Sequence, residues 1–242
     1  MLLKRLLAVL IPLVVVACAA YDIPDPTPED FAIHGIDVSR YQGDIDWHAA
    51  RRDGTAFAWI KATEGGDYVD PKFLHNWHAA RAAGVPRGAY HFYYFCRPVE
   101  EQVAWFIENV PVDPHALPPV LDMEWNGHSK TCRLQPPAGK IIADMTYFLN
   151  AIEKHYGKRA VIYTTVDFHR DILVGAFTAH DFWIRSVASH PRHKYEKRDD
   201  WTFWQYTAEG TVAGIKGPVD RNVFFGSKSQ WRKWLKGDLR KR

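Results

Sequence analysis

Apolar positions along the chain fall into two rhythms. Short apolar or alternating runs occur at Phe31–Val38, Phe57–Ala62, Arg87–Phe95, Pro119–Trp125 and Ala160–Thr164, each of strand length. Between them lie longer stretches with apolar residues three and four apart, the spacing of one helix face. Pro71–Ala83 puts Phe73, Leu74, Trp77 and Ala80 on one side and is stopped by Gly84. Val99–Asn109 turns Val103, Phe106 and Ile107 inward, Ala138–Tyr156 is ended by Gly157, and a shorter helix is expected near Trp47–Arg52. Strands alternating with helices predict a parallel sheet. The last third changes character: Phe182–Val187 and Thr202–Tyr206 read as strands around a basic, turn-rich loop, His190–Arg198, and no helix is expected until Ser229–Leu235. The expected fold class is α/β: a single modified (β/α) barrel, parallel βα units first and irregular short strands in the last third.

The first 30 residues stand apart. Lys4 and Arg5 precede an apolar run, Leu6–Ala17, interrupted by Pro12. It is too short for a comfortable bilayer span and fits a signal peptide over residues 1–19. Val15-Val16-Ala17-Cys18 resembles a lipobox, in which Cys18 is lipidated; Ala17-Cys18-Ala19 also suits ordinary secretion. The lipobox reading is preferred, giving a periplasmic or outer-membrane-anchored lipoprotein, with plain secretion as the alternative. Membrane contact is expected only through that anchor. Residues 20–30, rich in Pro and acids, read as a tether without regular structure. No second linker or repeat follows, so residues 31–242 form one domain, expected to be a monomer. With Cys18 set aside, Cys96 and Cys132 remain, and in an oxidising compartment they suggest one disulfide; two unpaired buried thiols are the alternative.

The most informative run is Pro118-Pro119-Val120-Leu121-Asp122-Met123-Glu124-Trp125. Side chains alternate along a strand, so Asp122 and Glu124 share a face while Leu121 and Met123 take the other. Their Cα atoms would be roughly 6.5–7 Å apart. Two carboxylates that close repel, and an apolar wall such as Trp125 would raise one pKa further, leaving one acid protonated and its neighbour charged. The bland alternative is a solvated edge strand. Barrel sites lie at the C-terminal ends of parallel strands, which points to Asp37, Glu64, Tyr93, Glu124 and Tyr163. Taken alone, Asp37 could cap a helix or pair with a cation, and Asp220 could be a turn acid paired to Arg221.

Other chemistries find little support. A net charge of +3 is too small to argue for nucleic acid. The 12 histidines include no His-Glu-x-x-His, so no metal is expected. Ser39 and Ser186 lack a Gly-x-Ser-x-Gly setting, there is no Gly-rich phosphate loop, and no cofactor is expected. The basic residues Arg232, Lys233, Lys236, Arg240, Lys241 and Arg242 read as a solvated helix face, or as a hold on an anionic wall polymer.

Six blocks then line up in order. They are Gly35-Ile-Asp-Val-Ser-Arg-Tyr-Gln-Gly-Asp-Ile-Asp-Trp47, Trp59-Ile-Lys-Ala-Thr-Glu-Gly65, Gly88-Ala-Tyr-His-Phe92, Pro119-Val-Leu-Asp-Met-Glu-Trp125, Val161-Ile-Tyr-Thr164, and Trp204-Gln-Tyr206 with Val219-Asp-Arg-Asn-Val-Phe224. Together they resemble glycoside hydrolase family 25, lysozymes of the N,O-diacetylmuramidase kind. The resemblance implies a modified α/β barrel and cleavage of the β-1,4 bond between N-acetylmuramic acid and N-acetylglucosamine in the glycan strands of peptidoglycan. By matching position, Glu124 resembles the general acid/base, Asp122 its partner carboxylate, and Asp37 and Asp220 further acids of the pocket. Tyr90 and Tyr163 match tyrosines near the reacting sugar; Trp125, Trp183, Gln205 and Tyr206 are candidates for the sugar groove. The substrate's N-acetyl group can act as internal nucleophile, so retention is the expectation.

Two departures from the family pattern stand out: Arg221, where an apolar residue is common, and Arg185-Ser186, where Ala is more usual. In a barrel, Cys96 and Cys132 would follow neighbouring strands at the rim of the site. The competing function is a catalytically silent, lipid-anchored peptidoglycan-binding protein, against which all four acids count. A chitinase-like reading has an Asp-x-Glu strand end in common but no support from the other blocks.

Overall fold

The computed structural model describes residues 24–196 and 200–238. The apolar runs become strands β1 (His34–Val38), β2 (Thr55–Glu64), β3 (Tyr68–Val69), β4 (Arg87–Phe92), β5 (Val120–Met123), β6 (Val161–Thr164), β7 (Phe182–Arg185), β8 (Phe203–Gly210) and β9 (Val219–Phe224). The helical patterns become α1 (Trp47–Arg52), α2 (Phe73–Ala82), α3 (Val99–Asn109), α4 (Ala138–Tyr156) and, after a single turn α5 (Val166–Phe168) that runs into a π turn at His169–Leu173 and has no helical pattern in the sequence, α6 (Lys228–Lys236).

Strands β1, β2, β4, β5, β6, β7 and β8 lie parallel in that order. β9 runs antiparallel between β8 and β1 and closes an eight-stranded barrel. β3 adds a two-residue antiparallel pairing on β2, outside the ring. The expected α/β barrel with an irregular last third is the fold found. The irregularity has a specific form: the return from β8 is made by a strand rather than a helix. β9 and β3 have no counterpart among the expected strands. β9 follows Gly217-Pro218, which reads as a turn, and the acid and Arg at its start obscure its alternation.

Strand alternation builds two apolar layers. Ile36, Ile60, Leu121, Ile162 and Ile184 face outward into the layer covered by helices. Phe57, Trp59, Val120, Val161, Trp183, Phe203 and Phe224 fill the barrel interior. Trp59 and Trp183 stack there at 4.7 Å between ring centroids. Glycines make the room: a Cβ on Gly35 would stand 2.5 Å from the Phe57 ring, and one on Gly88 would stand 2.7 Å from Trp59 Nε1. Helix α6 closes the barrel at the end where the parallel strands begin. Its Trp231 and Trp234 stack at 5.4 Å and reach Phe57, Phe203 and Phe224, and Trp234 Nε1 donates to Asp181 Oδ2 at 2.9 Å. An interior filled at this end leaves open space only at the opposite one, where the parallel strands finish.

The expectation that the tether lacks regular structure needs correction. Pro28–Asp30 form a 3-10 turn, stabilised by Thr27 N and Oγ1 donating to Asp30 Oδ2 at 2.7 and 3.0 Å. Asp25 pairs with Arg192 and His193, which ties the segment to the domain. Three prolines limit the chain's freedom, so a few polar contacts suffice to order it. Cys18, the apolar run and the basic residues from Arg240 onward lie outside the described residues. Among the described residues, no helix is long and apolar enough to cross a membrane.

Candidate active site

A cleft of about 840 Å³ opens where the parallel strands end. Five carboxylates line it: Asp37, Asp122, Glu124 and Asp220, with Asp167 of α5 on the wall. Three reach it from strands running toward the opening. Asp37 lies on β1, Asp122 lies on β5, and Glu124 follows β5 by one residue. Asp220 arrives by another route. It stands at the start of β9, which runs the other way, and the ladder pairs it directly with Asp37. The start of a reversed strand and the end of a forward one meet at the same rim. Asp220 is therefore a ladder residue rather than a turn acid, and it has no ion pair with Arg221 among the described residues.

Alternation along β5 acts as expected from its sequence. Leu121 and Met123 are buried in the outer layer, while Asp122 and Glu124 face the cleft. Asp122 sits in register with Phe92 of β4 and Tyr163 of β6. Its Oδ1 atom is buried and accepts no hydrogen bond among the described residues. Asp37 is held differently: its Oδ2 accepts from Gln205 Nε2 at 2.9 Å and from Asn222 Nδ2 at 2.8 Å. Gln205 Oε1 in turn accepts from the Tyr163 hydroxyl at 3.0 Å, and Asn222 Oδ1 from Trp183 Nε1 at 2.7 Å. Five side chains on β1, β6, β7, β8 and β9 thus form one buried network across the cleft floor.

Electrostatics follow from burial and crowding. Burial raises Asp122 well above the usual carboxylate range, and the neighbouring Glu124 charge adds to this. Glu124 is pushed up to about 7, chiefly by burial, with Arg185 and Lys61 opposing. Burial and then Asp220 raise Asp37 well above its usual value, and burial also raises Asp220. Desolvation disfavours the charged form of each acid, and the acids disfavour one another's ionisation. Near neutrality the group therefore retains protons, and Glu124 is poised to give or take one.

The remaining candidates separate clearly. Tyr90, Trp125, Tyr163, Trp183 and Gln205 line the cleft. The Tyr90 and Tyr163 rings stand edge-on to Trp183 at 6.4 and 4.6 Å. Trp125 packs on Phe95 and Phe168 and donates to Asp171 Oδ2 at 3.0 Å. Tyr206 is not among the lining residues. It follows Gln205 on β8, so alternation turns it to the other face, where its ring meets His34 and Trp204. Glu64 and Tyr93, also flagged at strand ends, do not line the cleft. Glu64 pairs with Lys61 at 2.6 Å, and the Tyr93 hydroxyl reaches Asp144 on α4 at 3.3 Å.

Lys61, Arg170 and Lys194 also line the cleft, and Asn222 belongs to the network in its floor, although none of the four stands out in the sequence. Alternation reaches Lys61 directly, two residues beyond Trp59 within the run Phe57–Ala62, whereas Asn222, two residues beyond Asp220, depends on β9. Arg170 sits in the π turn at His169–Leu173 and Lys194 on the loop after β7, and neither carries a periodic signal.

Cys96 and Cys132 are joined, with Cα atoms 5.8 Å apart across a sequence separation of 36. The bond links the segment after β4 to the one after β5. Asn126 adds to it, accepting from Phe95 N at 3.1 Å and donating to the Tyr93 carbonyl at 3.1 Å. These segments carry Trp125 and His128 of the cleft wall. Among the described residues, no cluster of His, Cys, Asp or Glu is arranged to hold a metal ion.

A profile of the Glycosyl hydrolases family 25 matches residues 36–215. Uncharacterized protein YegX of Escherichia coli (strain K12) is 36% identical over 220 residues, which cover 87% of this chain and 76% of that protein. Lysozyme M1 of Streptomyces globisporus is 36% identical over 212 residues, covering 82% and 69%. A family 25 glycosyl hydrolase structure from Bacillus anthracis aligns with a TM-score of 0.78 at 37% identity, over 84% of this chain and 93% of that one. A bacterial lysozyme structure from Streptomyces coelicolor aligns with a TM-score of 0.72 at 32% identity, over 86% and 98%. With the barrel, the acid-lined cleft and the matched length in agreement, this chain belongs to glycosyl hydrolase family 25.

Proposed function

We propose that this protein is a muramidase that hydrolyses the β-1,4 bond between N-acetylmuramic acid and N-acetylglucosamine in bacterial peptidoglycan. The observation that carries this reading is the pairing of Asp122 and Glu124 on one cleft wall, with Glu124 poised near 7 and Asp122 Oδ1 left without a donor. Protonated Glu124 gives its proton to the glycosidic oxygen as the bond to the sugar C1 breaks. The acetamido carbonyl oxygen of the same sugar closes onto C1 from the opposite face. Its N–H is the donor that Asp122 Oδ1 lacks, so Asp122 orients the acetamido group and offsets its positive charge. Water then opens the ring with Glu124, now a carboxylate, taking the proton, and the configuration is retained. Asp37 and Asp220 stabilise the positive charge that develops, with Tyr90, Trp125, Tyr163 and Trp183 as walls for the sugars.

We further infer that the enzyme works outside the cytoplasm, either anchored through Cys18 or secreted. The amino-terminal sequence supports this, as does the Cys96–Cys132 bond, which suits an oxidising compartment.

Clearing of purified cell walls tests the assignment. Glu124→Gln should lose roughly a hundredfold or more of the rate, and equal clearing by both proteins would remove Glu124 from its role. Muramic acid at the new reducing ends identifies a muramidase, and β-anomeric product at early times identifies retention.

A further inference from the structure

One cleft residue has a charge that the catalytic reading leaves unused. Arg185 ends β7, in register with Gln205 of β8, and its side chain lines the cleft. It is half-buried. Its backbone is fixed, because the buried Tyr195 hydroxyl donates to the Arg185 carbonyl at 2.6 Å and to that of Thr164 at 3.1 Å. Its guanidinium makes no ion pair or hydrogen bond among the described residues. A guanidinium has five donors in a planar fork matched to a carboxylate, and that of Arg185 is open to the cleft.

Nearby acids do not fill the role. Asp37, Glu124 and Asp220 feel the Arg185 charge, yet none forms an ion pair with it among the described residues. The loops beyond β6 and β7 bring further cations to the same wall. Lys194 is exposed there, and Arg170 is paired to Asp171 at 2.8 Å. Asp167 is the acid among them, and it accepts from Thr165 Oγ1 at 2.6 Å.

We propose that Arg185 is a specificity-determining residue that binds a carboxylate on the 3-O substituent of the muramyl sugar, with Lys194 at the rim extending the cationic wall. This rests on the muramidase reading. That substituent offers a carboxylate from two sources: the lactyl group itself on strands stripped of peptide, or the stem peptide on intact strands.

The test compares kcat/KM of the wild type, Arg185→Gln and Arg185→Lys on intact and peptide-stripped strands. Each substrate is also used after carbodiimide amidation of its carboxylates. The wild type should prefer the carboxylated form by roughly tenfold, mainly through KM, as suits a charge-assisted bidentate contact. Arg185→Gln should abolish that preference, and Arg185→Lys should keep part of it. A preference confined to stripped strands assigns the lactyl carboxylate; one confined to intact strands assigns the stem peptide. The inference is overturned if the wild type shows no preference, or if Arg185→Gln keeps it in full. Inactivity of the wild type on every substrate would instead defeat the muramidase reading, so the two failures are distinct.

Discussion

Neutralising Glu124 should make the protein more stable as well as inactive, and the gain should depend on pH. In the unfolded chain this carboxyl releases its proton near its ordinary value of 4.5, and in the folded protein near 7. Between those values the folded state binds more protons than the unfolded one, so stability falls as pH rises through the window and stays reduced above it. At about 1.4 kcal/mol per pKa unit, the interval from 4.5 to about 7 corresponds to about 3 kcal/mol. Glu124→Gln keeps the shape and removes the charge. It also relieves Asp122, whose ionisation the Glu124 charge opposes. Some of the gain returns as the cost of a less well hydrated amide, leaving roughly 1–3 kcal/mol above pH 7. For a domain of this size, a rise in Tm of roughly 3–10 °C follows. Thermal unfolding by circular dichroism at intervals from pH 4 to pH 8 measures it. The two proteins should coincide near pH 4 and diverge as pH increases. A difference independent of pH, or a variant less stable at pH 8, would refute the account of Glu124 as a carboxyl whose ionisation folding opposes.

The same titration predicts that kcat/KM for wall hydrolysis declines above about pH 7, where Glu124 loses the proton it must donate; an alkaline limb that does not move in Glu124→Asp would point to another group. Replacing Cys96 and Cys132 with Ser should lower stability by roughly 2–4 kcal/mol, since the bond closes a long loop, and chemical denaturation with and without reductant checks this. Gly35→Ala should destabilise the barrel by roughly 1–3 kcal/mol, because the new methyl would meet the Phe57 ring at 2.5 Å; an unchanged denaturation midpoint would show that the ring can move aside.

Much of this architecture was legible because strand alternation is a rigid rule. The i, i+2 spacing of Asp122 and Glu124 and the apolar residues between them sufficed to put both acids on one face. The same rule, applied to Gln205 and Tyr206, excludes one of the two from the cleft, and the structure admits Gln205. What the sequence obscured was direction. Nothing in Val219–Phe224 says that the chain is running backwards, and without that knowledge Asp220 lacks a location and Asn222 a reason to be polar. Arg170, in the π turn after α5, and Lys194, on the loop after β7, carry no period at all. Their positions follow from tertiary contacts such as those of Tyr195, whose hydroxyl ties the β7 end to β6.

The reversed strand also decides how the enzyme can be mounted. β1 starts, and β9 finishes, at the closed end of the barrel, and α6 seals that end with Trp231 and Trp234. A module, bead or surface joined beyond α6 would lie behind the domain, with the mouth of the cleft facing away from its support. A long, stiff polymer could then pass across the front of an immobilised enzyme without meeting the attachment.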